Sequence, residues 1–150
     1  MGSGIRIDKE GVWYYNNAEM IRKDIIMFFA QNLTCDEAGN YLIELNNERS
    51  PVEVEDTPFV VKKVSFTENT GRDFFSILLS DDSIEDLDLN SLSISDANIL
   101  YCRVKNNKFR ARFSRPAYYQ LANYITHDDN DGRYYVVING RSYHVDKARI

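Results

Sequence analysis

The sequence predicts an α+β fold that contains duplicated hairpin–helix–strand units with mostly antiparallel sheets. Three observations favour it. Short runs of β-branched and aromatic residues alternate with turn sequences, two segments have the apolar period of a helix, and two parts of the chain share one order of predicted elements. Of the 150 residues, 43% are hydrophobic and 27% charged, which is typical of a globular protein.

The first predicted unit is an N-terminal α+β subdomain at residues 1–58. Its elements are a hairpin at 5–8 and 12–15, a helix at 20–33 that is buried over much of its circumference, and a strand at 41–45. Residues 46–58 contain two prolines and several charged groups. We expect them to form an extended connector with one brief strand around Val52 and Val54.

The second predicted unit is a C-terminal β-rich subdomain with one helix, at residues 59–150. Its strands are expected at 59–67, 73–80, 99–105, 108–114, 134–138 and 141–145, with an acidic loop at 81–88. Pro116 suits a first helical turn, and apolar residues recur at helical spacing from Tyr118 to Ile125, so a helix is expected at 116–126. Asn139-Gly140 is a strong hairpin signal.

The two units contain an internal repeat. Each has a hairpin, a helix, an acidic turn that ends in glycine, and a strand that begins with tyrosine. Aligning Gly39 with Gly132 places Tyr41 on Tyr134 and Arg22 on Arg115. Because a repeated unit usually buries its apolar face against its copy, the seam between the two units is the predicted place for a pocket.

Charge is distributed unevenly along the chain. The net charge is −5, but residues 1–100 contain 8 basic and 19 acidic side chains, whereas residues 101–150 contain 10 basic and 4 acidic ones. A hairpin turning at Asn106-Asn107 would place Arg103 opposite Arg110, Tyr101 opposite Arg112 and Lys105 opposite Lys108. These five basic residues, 103, 105, 108, 110 and 112, are called the cationic face below.

Like charges directly opposite each other in a sheet are unfavourable, so the cationic face needs compensation. One candidate is the acidic loop of the chain itself. The other is an anionic ligand, because arginine binds phosphate and carboxylate groups in a bidentate manner. Nucleic acid is disfavoured as a partner, because the isoelectric point is near 5.0.

Five further residues are candidates for ligand contacts. The repeat relates Arg22 and Arg115, which both open apolar helices near the predicted seam; alternatively, each makes a structural salt bridge, with Asp56 or Glu48 as partners. Trp13 and Tyr118 could stack on a ligand, although Trp13 is the only tryptophan and a tryptophan of this kind is more often a core residue than a ligand platform. Asp56 precedes Thr57-Pro58 and could cap a turn there.

Several functional classes receive no support from the sequence. Cys35 and Cys102 are too few for a disulfide framework or a four-ligand zinc site, and His127 and His144 lack metal-ligand spacing. No nucleophile motif or glycine-rich phosphate loop occurs. We therefore expect a non-catalytic protein without a cofactor or a metal. The absence of a long apolar run or a signal sequence predicts a cytoplasmic protein.

The run Val54-Glu-Asp-Thr-Pro-Phe59 resembles the V-E-D-x-P-F signature of the bacterial domain of unknown function 1285 family. Further motifs agree in order along nearly the whole chain: Ile5-Arg-Ile-Asp8, Gly11-Val-Trp13, Arg22, Asp36-Glu-Ala-Gly39, Phe109-Arg-Ala-Arg-Phe-Ser-Arg115 and Tyr118-Tyr-Gln-Leu121. The sequence departs from the family pattern at residues 45–48 and 80–81. The resemblance implies a duplicated α+β fold whose C-terminal part superficially resembles pleckstrin-homology domains, a nucleotide-like ligand and a signalling role.

Two functional hypotheses follow from these observations. The first is a regulatory module that binds a small anionic, nucleotide-like ligand at the seam between the repeats. Its expected contacts are Arg22, Arg115, Arg103, Arg110, Arg112, Trp13, Tyr118 and Asp56. The second is a protein-interaction adaptor that docks an acidic partner on the cationic face. The sequence leaves the oligomeric state open.

Overall fold

The computed structural model describes residues 4–148, which form two mixed β-sheets and two α-helices, in agreement with the predicted α+β class. Sheet 1 has six strands. They are β1 (Ile5–Ile7), β2 (Trp13–Tyr15), β3 (Ala18–Glu19), β4 (Leu33–Cys35), β5 (Tyr41–Leu45) and β6 (Glu48–Val54), with helix α1 (Lys23–Gln31) between β3 and β4. Their spatial order is β3-β2-β1-β6-β5-β4.

Sheet 2 has nine strands. They are β7 (Phe59–Thr67), β8 (Phe74–Leu79), β9 (Ile84–Asp86), β10 (Ser93–Ile94), β11 (Leu100–Val104), β12 (Phe109–Phe113), β13 (Ile125–Asp128), β14 (Arg133–Ile138) and β15 (Arg141–Lys147). Helix α2 (Arg115–Ala122) lies between β12 and β13, and a short 3₁₀ turn covers Leu89–Ser91. The spatial order is β13-β14-β15-β10-β11-β12-β7-β8-β9.

Six strands of sheet 2, β10 to β15, have the same spatial order as the six strands of sheet 1. In both arrays the first strand pairs in parallel with the last, β1 with β6 and β10 with β15. The register agrees as well. Tyr14 lies opposite Glu19 in β2–β3, and Tyr101 lies opposite Arg112 in β11–β12. The remaining strands, β7 to β9, extend sheet 2 beyond β12.

Both predicted helices are too long at their C-terminal ends. Helix α1 begins at Lys23 and ends at Gln31, and α2 ends at Ala122 instead of residue 126. In each case the predicted helix includes the first residue or residues of a strand, β4 or β13, that pairs antiparallel with the next strand. Only Ala30 of α1 is buried, so the prediction of a helix buried over much of its circumference was also wrong.

Residues 46–58 are not mainly a connector. Strand β6 fills most of this segment and lies in the interior of sheet 1, antiparallel to β5 and parallel to β1. The alternation of Val52 and Val54 predicted a brief strand here, but the prolines and charges hid how far that strand extends; Val52 is buried. The predicted acidic loop at 81–88 contains the short edge strand β9.

One cluster of buried apolar side chains includes residues of both sheets. The turn between β1 and β2 touches sheet 2 closely at Gly11, which has a φ of +85°. A Cβ atom at this position would lie 3.0 Å from Ser80 Cβ and 3.1 Å from Val60 Cγ2. The change of sheet between Val54 and Phe59 falls at the predicted subdomain boundary, and the division into two subdomains stays a prediction.

Within residues 4–148, neither helix combines the length and the apolar character that crossing a membrane would require.

Candidate functional site

The cationic face lies on the β11–β12 hairpin, and its predicted register is confirmed for four of the positions. Tyr101 pairs with Arg112, and Arg103 pairs with Arg110. The turn is wider than predicted. Lys105 has a positive φ of 56°, and Lys108 N–H donates to the Val104 carbonyl at 3.1 Å. Lys105 and Lys108 therefore leave the ladder and do not face each other as a strand pair.

Lys105 is neutralised by the chain itself. Its Nζ atom donates to Asp81 Oδ2 and to Ser83 Oγ, both at 2.8 Å, and its backbone N–H donates to Glu85. Asp81 is 8% exposed. Burial raises the pKa of its carboxyl group, but the hydrogen bonds from Lys105 and Ser83 outweigh that effect and lower the pKa below its ordinary value. The acidic loop thus compensates one member of the cationic face.

Arg103 and Arg110 lie directly opposite each other and are half-buried. Between residues 4 and 148, neither has a carboxylate oxygen within 4.0 Å of its guanidinium group. Arg110 instead stacks over the Tyr101 ring at 4.3 Å, and Arg103 donates to the Asn107 carbonyl at 2.9 Å. This pair keeps its positive charge available to an external anion.

Arg112 is tied to the V-E-D-T-P-F segment. Its Nη1 atom donates to Asp56 Oδ2 at 3.0 Å, and its backbone N–H donates to Thr57 Oγ1 at 3.1 Å. Asp56 also accepts a hydrogen bond from the Tyr101 hydroxyl at 2.9 Å. Burial, followed by this hydrogen bond, raises the pKa of Tyr101. Asp56 therefore pairs with Arg112, and neither Arg22 nor Arg115 is its partner.

A cleft of about 290 Å³ lies where the cationic face meets the start of α2. It is lined by Ala97, Asn98, Ile99, Leu100, Arg112, Phe113, Arg115, Tyr118 and Tyr119. Helix α2 begins here because Ser114 caps it, accepting a hydrogen bond from Ala117 N–H, and Pro116 occupies the first turn. The helix start places the side chain of Arg115 in the cleft.

Arg115 is exposed, and the only hydrogen bond of its side chain within the described part of the chain runs from Nη1 to the Tyr119 hydroxyl at 3.4 Å. The Tyr118 hydroxyl donates to Asn98 Oδ1 at 3.2 Å, and the Tyr118 and Tyr119 rings meet edge to face at 5.6 Å. The cleft therefore combines an uncompensated guanidinium group, polar hydrogen-bonding groups and two aromatic rings.

The structure does not place all predicted ligand residues in this cleft. Arg22 forms a bidentate ion pair with Asp24, at 2.7 Å for the shorter contact, and lines a different groove that is mostly apolar. Trp13 is 3% exposed and packs 6.4 Å from Phe29, so the structure gives it the core position that the sequence left as the alternative. Three of the eight candidates, Arg112, Arg115 and Tyr118, share the cleft.

Sequence reasoning missed Asn98, Tyr119 and Thr57. Asn98 has a φ of 66°, and the positive φ that asparagine tolerates was a usable turn signal. Tyr119 follows Tyr118 but does not belong to the apolar residues at helical spacing, so periodicity did not single it out. Thr57 is fully buried and gave no periodic signal, because it lies in the irregular crossing between the two sheets.

Residues 2–57 match the family described as domain of unknown function (DUF1285), N-terminal domain. No curated protein matches the chain.

Two solved structures are similar to this chain along most of its length. A DUF1285 family protein from Silicibacter pomeroyi DSS-3 has a TM-score of 0.79 at 17% identity, with 98% of this chain and 81% of the other covered. A DUF1285 family protein from Shewanella baltica OS155 has a TM-score of 0.67 at 19% identity, with 81% and 91% covered. At these identities, the two comparisons show a common fold.

Proposed function

Because this chain belongs to the DUF1285 family, as its resemblance to that family predicted, we propose that it is a non-catalytic regulatory module for a small anion. A nucleotide-like phosphate is the ligand that the resemblance implies, with a role in signal transduction. The binding place is the cleft at the start of α2. The observation that carries the proposal is the uncompensated guanidinium group of Arg115 in that cleft, beside Arg112 and Tyr118.

The charges of the cleft favour one small anion. Arg115 contributes a full positive charge, whereas Asp56 partly neutralises Arg112. Arginine presents a planar donor fork to phosphate or carboxylate oxygens, and an aromatic ring can stack on a planar group attached to that anion. The cleft volume of about 290 Å³ suits a phosphate group with a compact substituent.

We also infer that the fold arose by duplication of one unit. The shared order of β1–β6 and β10–β15 supports this, as does the matching register at Tyr14 and Tyr101. Under this alignment Arg22 and Arg115 are repeat-related, but they line different grooves. The proposal therefore assigns the anion to the C-terminal unit, whose superficial likeness to pleckstrin-homology domains is implied by the resemblance alone.

A thermal-shift titration with inorganic phosphate and with adenosine and guanosine mono- and diphosphates tests the anion site. A ligand that binds only the folded state raises the melting temperature. We expect at least one of these probes to raise it in the wild type and Arg115→Ala to abolish that rise. Arg133→Ala is the matched control, because Arg133 is an exposed arginine that pairs with Asp146.

Arg22, which the repeat relates to Arg115, distinguishes two possible locations of the bound anion. Arg22→Ala should leave the shift unchanged if the anion lies in the α2 cleft. Loss of the shift in both Arg22→Ala and Arg115→Ala would instead assign the anion to a seam shared by the two units. A flat response to every probe would refute the anion-binding proposal.

The second candidate function is an adaptor that docks an acidic partner on the cationic face. The absence of a carboxylate beside Arg103 and Arg110, within residues 4–148, favours it. A polyglutamate peptide should bind in a salt-dependent manner and lose affinity for the Arg103→Glu/Arg110→Glu double variant. Equal binding by the wild type and the double variant would exclude this surface.

A further inference from the structure

The turn between β10 and β11 contributes Asn98 to the α2 cleft, and it has the same construction as the turn between β1 and β2. Asn98 N–H donates to the Ser95 carbonyl at 2.9 Å, as Gly11 N–H donates to the Asp8 carbonyl at 3.0 Å. In each turn the side chain of the first residue also accepts a hydrogen bond from a backbone N–H four residues later. Asn98 and Gly11 both have a positive φ, of 66° and 85°, and therefore occupy corresponding places.

The surroundings of these two residues differ. Gly11 lies against sheet 2, where a side chain would meet Ser80 and Val60. Asn98 is exposed, and its amide group reaches the helix, where Oδ1 accepts a hydrogen bond from the Tyr118 hydroxyl at 3.2 Å. A turn with positive φ is formed more readily by glycine than by asparagine, so the backbone alone does not call for this amide. What distinguishes Asn98 from Gly11 is thus a polar group held at the cleft.

The amide group of Asn98 is bonded at one end only. Tyr118 holds Oδ1, whereas Nδ2 has no hydrogen-bond partner within residues 4–148. An amide Nδ2 carries two N–H donors and accepts nothing. Asn98 therefore offers donors to a molecule in the cleft.

The other free polar group of the cleft is a donor as well. The guanidinium group of Arg115 donates only, and among the described residues that line the cleft none is acidic. Arg112, by contrast, is engaged by Asp56. A ligand that satisfies both Arg115 and Asn98 has to bring acceptor atoms to two places.

We propose that Asn98 determines the specificity of this cleft, an inference that rests on the function proposed above. The phosphate group meets Arg115, and a carbonyl oxygen on the attached ring accepts a hydrogen bond from Asn98 Nδ2. An amino group at that place would set donor against donor and leave both unpaired. The ligand class is therefore a phosphate ester of a ring that carries a carbonyl group. Tyr118 acts on this choice as a positioning residue, because its hydroxyl orients the amide.

Two pairs of nucleotides test the choice by isothermal titration calorimetry. Inosine and adenosine monophosphate differ in a ring carbonyl against an amino group, and so do uridine and cytidine monophosphate. We expect the carbonyl member of each pair to bind about threefold more tightly or better, because one hydrogen bond is lost in the other. Asn98→Asp keeps the size and can still accept from Tyr118, but it offers acceptors in place of donors. It should abolish or reverse the preference, besides weakening all four ligands through its negative charge.

Asn106→Asp is the matched control, because Asn106 also has a positive φ, of 58°, and does not line the cleft. It should leave the preference within each pair unchanged. Tyr118→Phe keeps the ring but frees the amide, so it should reduce the preference; a loss of affinity with the preference intact would overturn the positioning role of Tyr118.

The outcomes separate the specificity from the anion site itself. Equal affinities within both pairs, a preference for the amino members, or a preference that survives Asn98→Asp would overturn the role of Asn98 while the anion site stands. Binding of inorganic phosphate without binding of any nucleotide would overturn it too. No binding of phosphate or of any nucleotide would refute the proposed function together with this inference.

Discussion

At the scale of single residues, the V-E-D-T-P-F segment acts as a polar joint between the two sheets. Thr57 is completely buried, and its Oγ1 atom donates to the Phe59 carbonyl at 2.6 Å while it accepts from Arg112 N–H at 3.1 Å. Asp56 holds the Arg112 side chain. The segment therefore fixes β12 beside the start of β7 and positions one wall of the cleft.

Thr57→Val should destabilise the protein by about 1–3 kcal/mol, because it keeps the side-chain shape but leaves a buried donor and a buried acceptor without a partner. Chemical denaturation measures the free energy of unfolding. Thr57→Ser retains the hydroxyl group and should recover most of the loss, and Thr126→Val, at an exposed position of β13, should have little effect. A negligible cost for Thr57→Val beside a large cost for Thr57→Ser would show that the methyl group, and not the hydrogen bonds, stabilises the joint.

At the scale of elements, the turn between β8 and β9 holds the β11–β12 hairpin in place through Asp81 and Lys105. The pKa of Asp81 is lowered in the folded protein, so its ionised form contributes stability above its ordinary value of 3.8. That contribution is lost as the pH falls through the lower, folded-state pKa. The link between the turn and the hairpin should therefore weaken in acid.

Asp81→Asn should cost about 2 kcal/mol at neutral pH, because it removes a charged hydrogen-bond acceptor from Lys105. The difference between the wild type and the variant should shrink as the pH falls from 3.8 through the lower folded-state pKa, where the wild-type carboxylate becomes protonated. Urea denaturation at several pH values measures it. Asp96→Asn, at an exposed ion pair, is the control; a difference that stays constant down to pH 2 would contradict the assigned role of the Asp81 charge.

Sequence patterns predicted the types of most elements better than their ends. The β11–β12 register followed from a turn at Asn106-Asn107 together with the alternation of apolar and polar residues on both sides of it. The C-terminal ends of α1 and α2 did not follow from the sequence pattern. Leu33 and Ile125 continue the helical apolar period, although they begin strands that pair with β5 and β14. Tertiary pairing overrides local periodicity at such places.

The candidate site was predictable only in part, for a similar reason. Charge and alternation identified Arg112, and the internal repeat identified Arg115, but the partner of each arginine depends on where distant segments cross. Asp56 reaches Arg112 because the chain passes from sheet 1 to sheet 2 at this point, and Arg22 finds Asp24 within its own helix turn. The sequence positions of Asp56 and Arg112 do not indicate that these residues are in contact. The spacing of Arg22 and Asp24 is not sufficient to predict their ion pair.

At the scale of the whole molecule, one apolar core includes side chains of both sheets. Ion pairs Asp56–Arg112 and Asp81–Lys105 join the acidic first part of the chain to the basic last part. Within residues 4–148, Arg103, Arg110 and Arg115 form no ion pair with a carboxylate. The uneven charge of the sequence is thus resolved into internal ion pairs and an uncompensated positive surface.

A shared core predicts that both sheets unfold in one transition. Trp13 reports on sheet 1 and is 3% exposed, whereas Cys102 reports on sheet 2 and is 1% exposed. Burial raises the pKa of the Cys102 thiol, so it is unreactive in the folded state. In a Cys35→Ser background, which removes the exposed thiol, urea curves from Trp13 fluorescence and from pulse labelling of Cys102 should have the same midpoint. A Trp13 transition at lower urea would show instead that the N-terminal unit unfolds by itself, as an independent subdomain at residues 1–58 would.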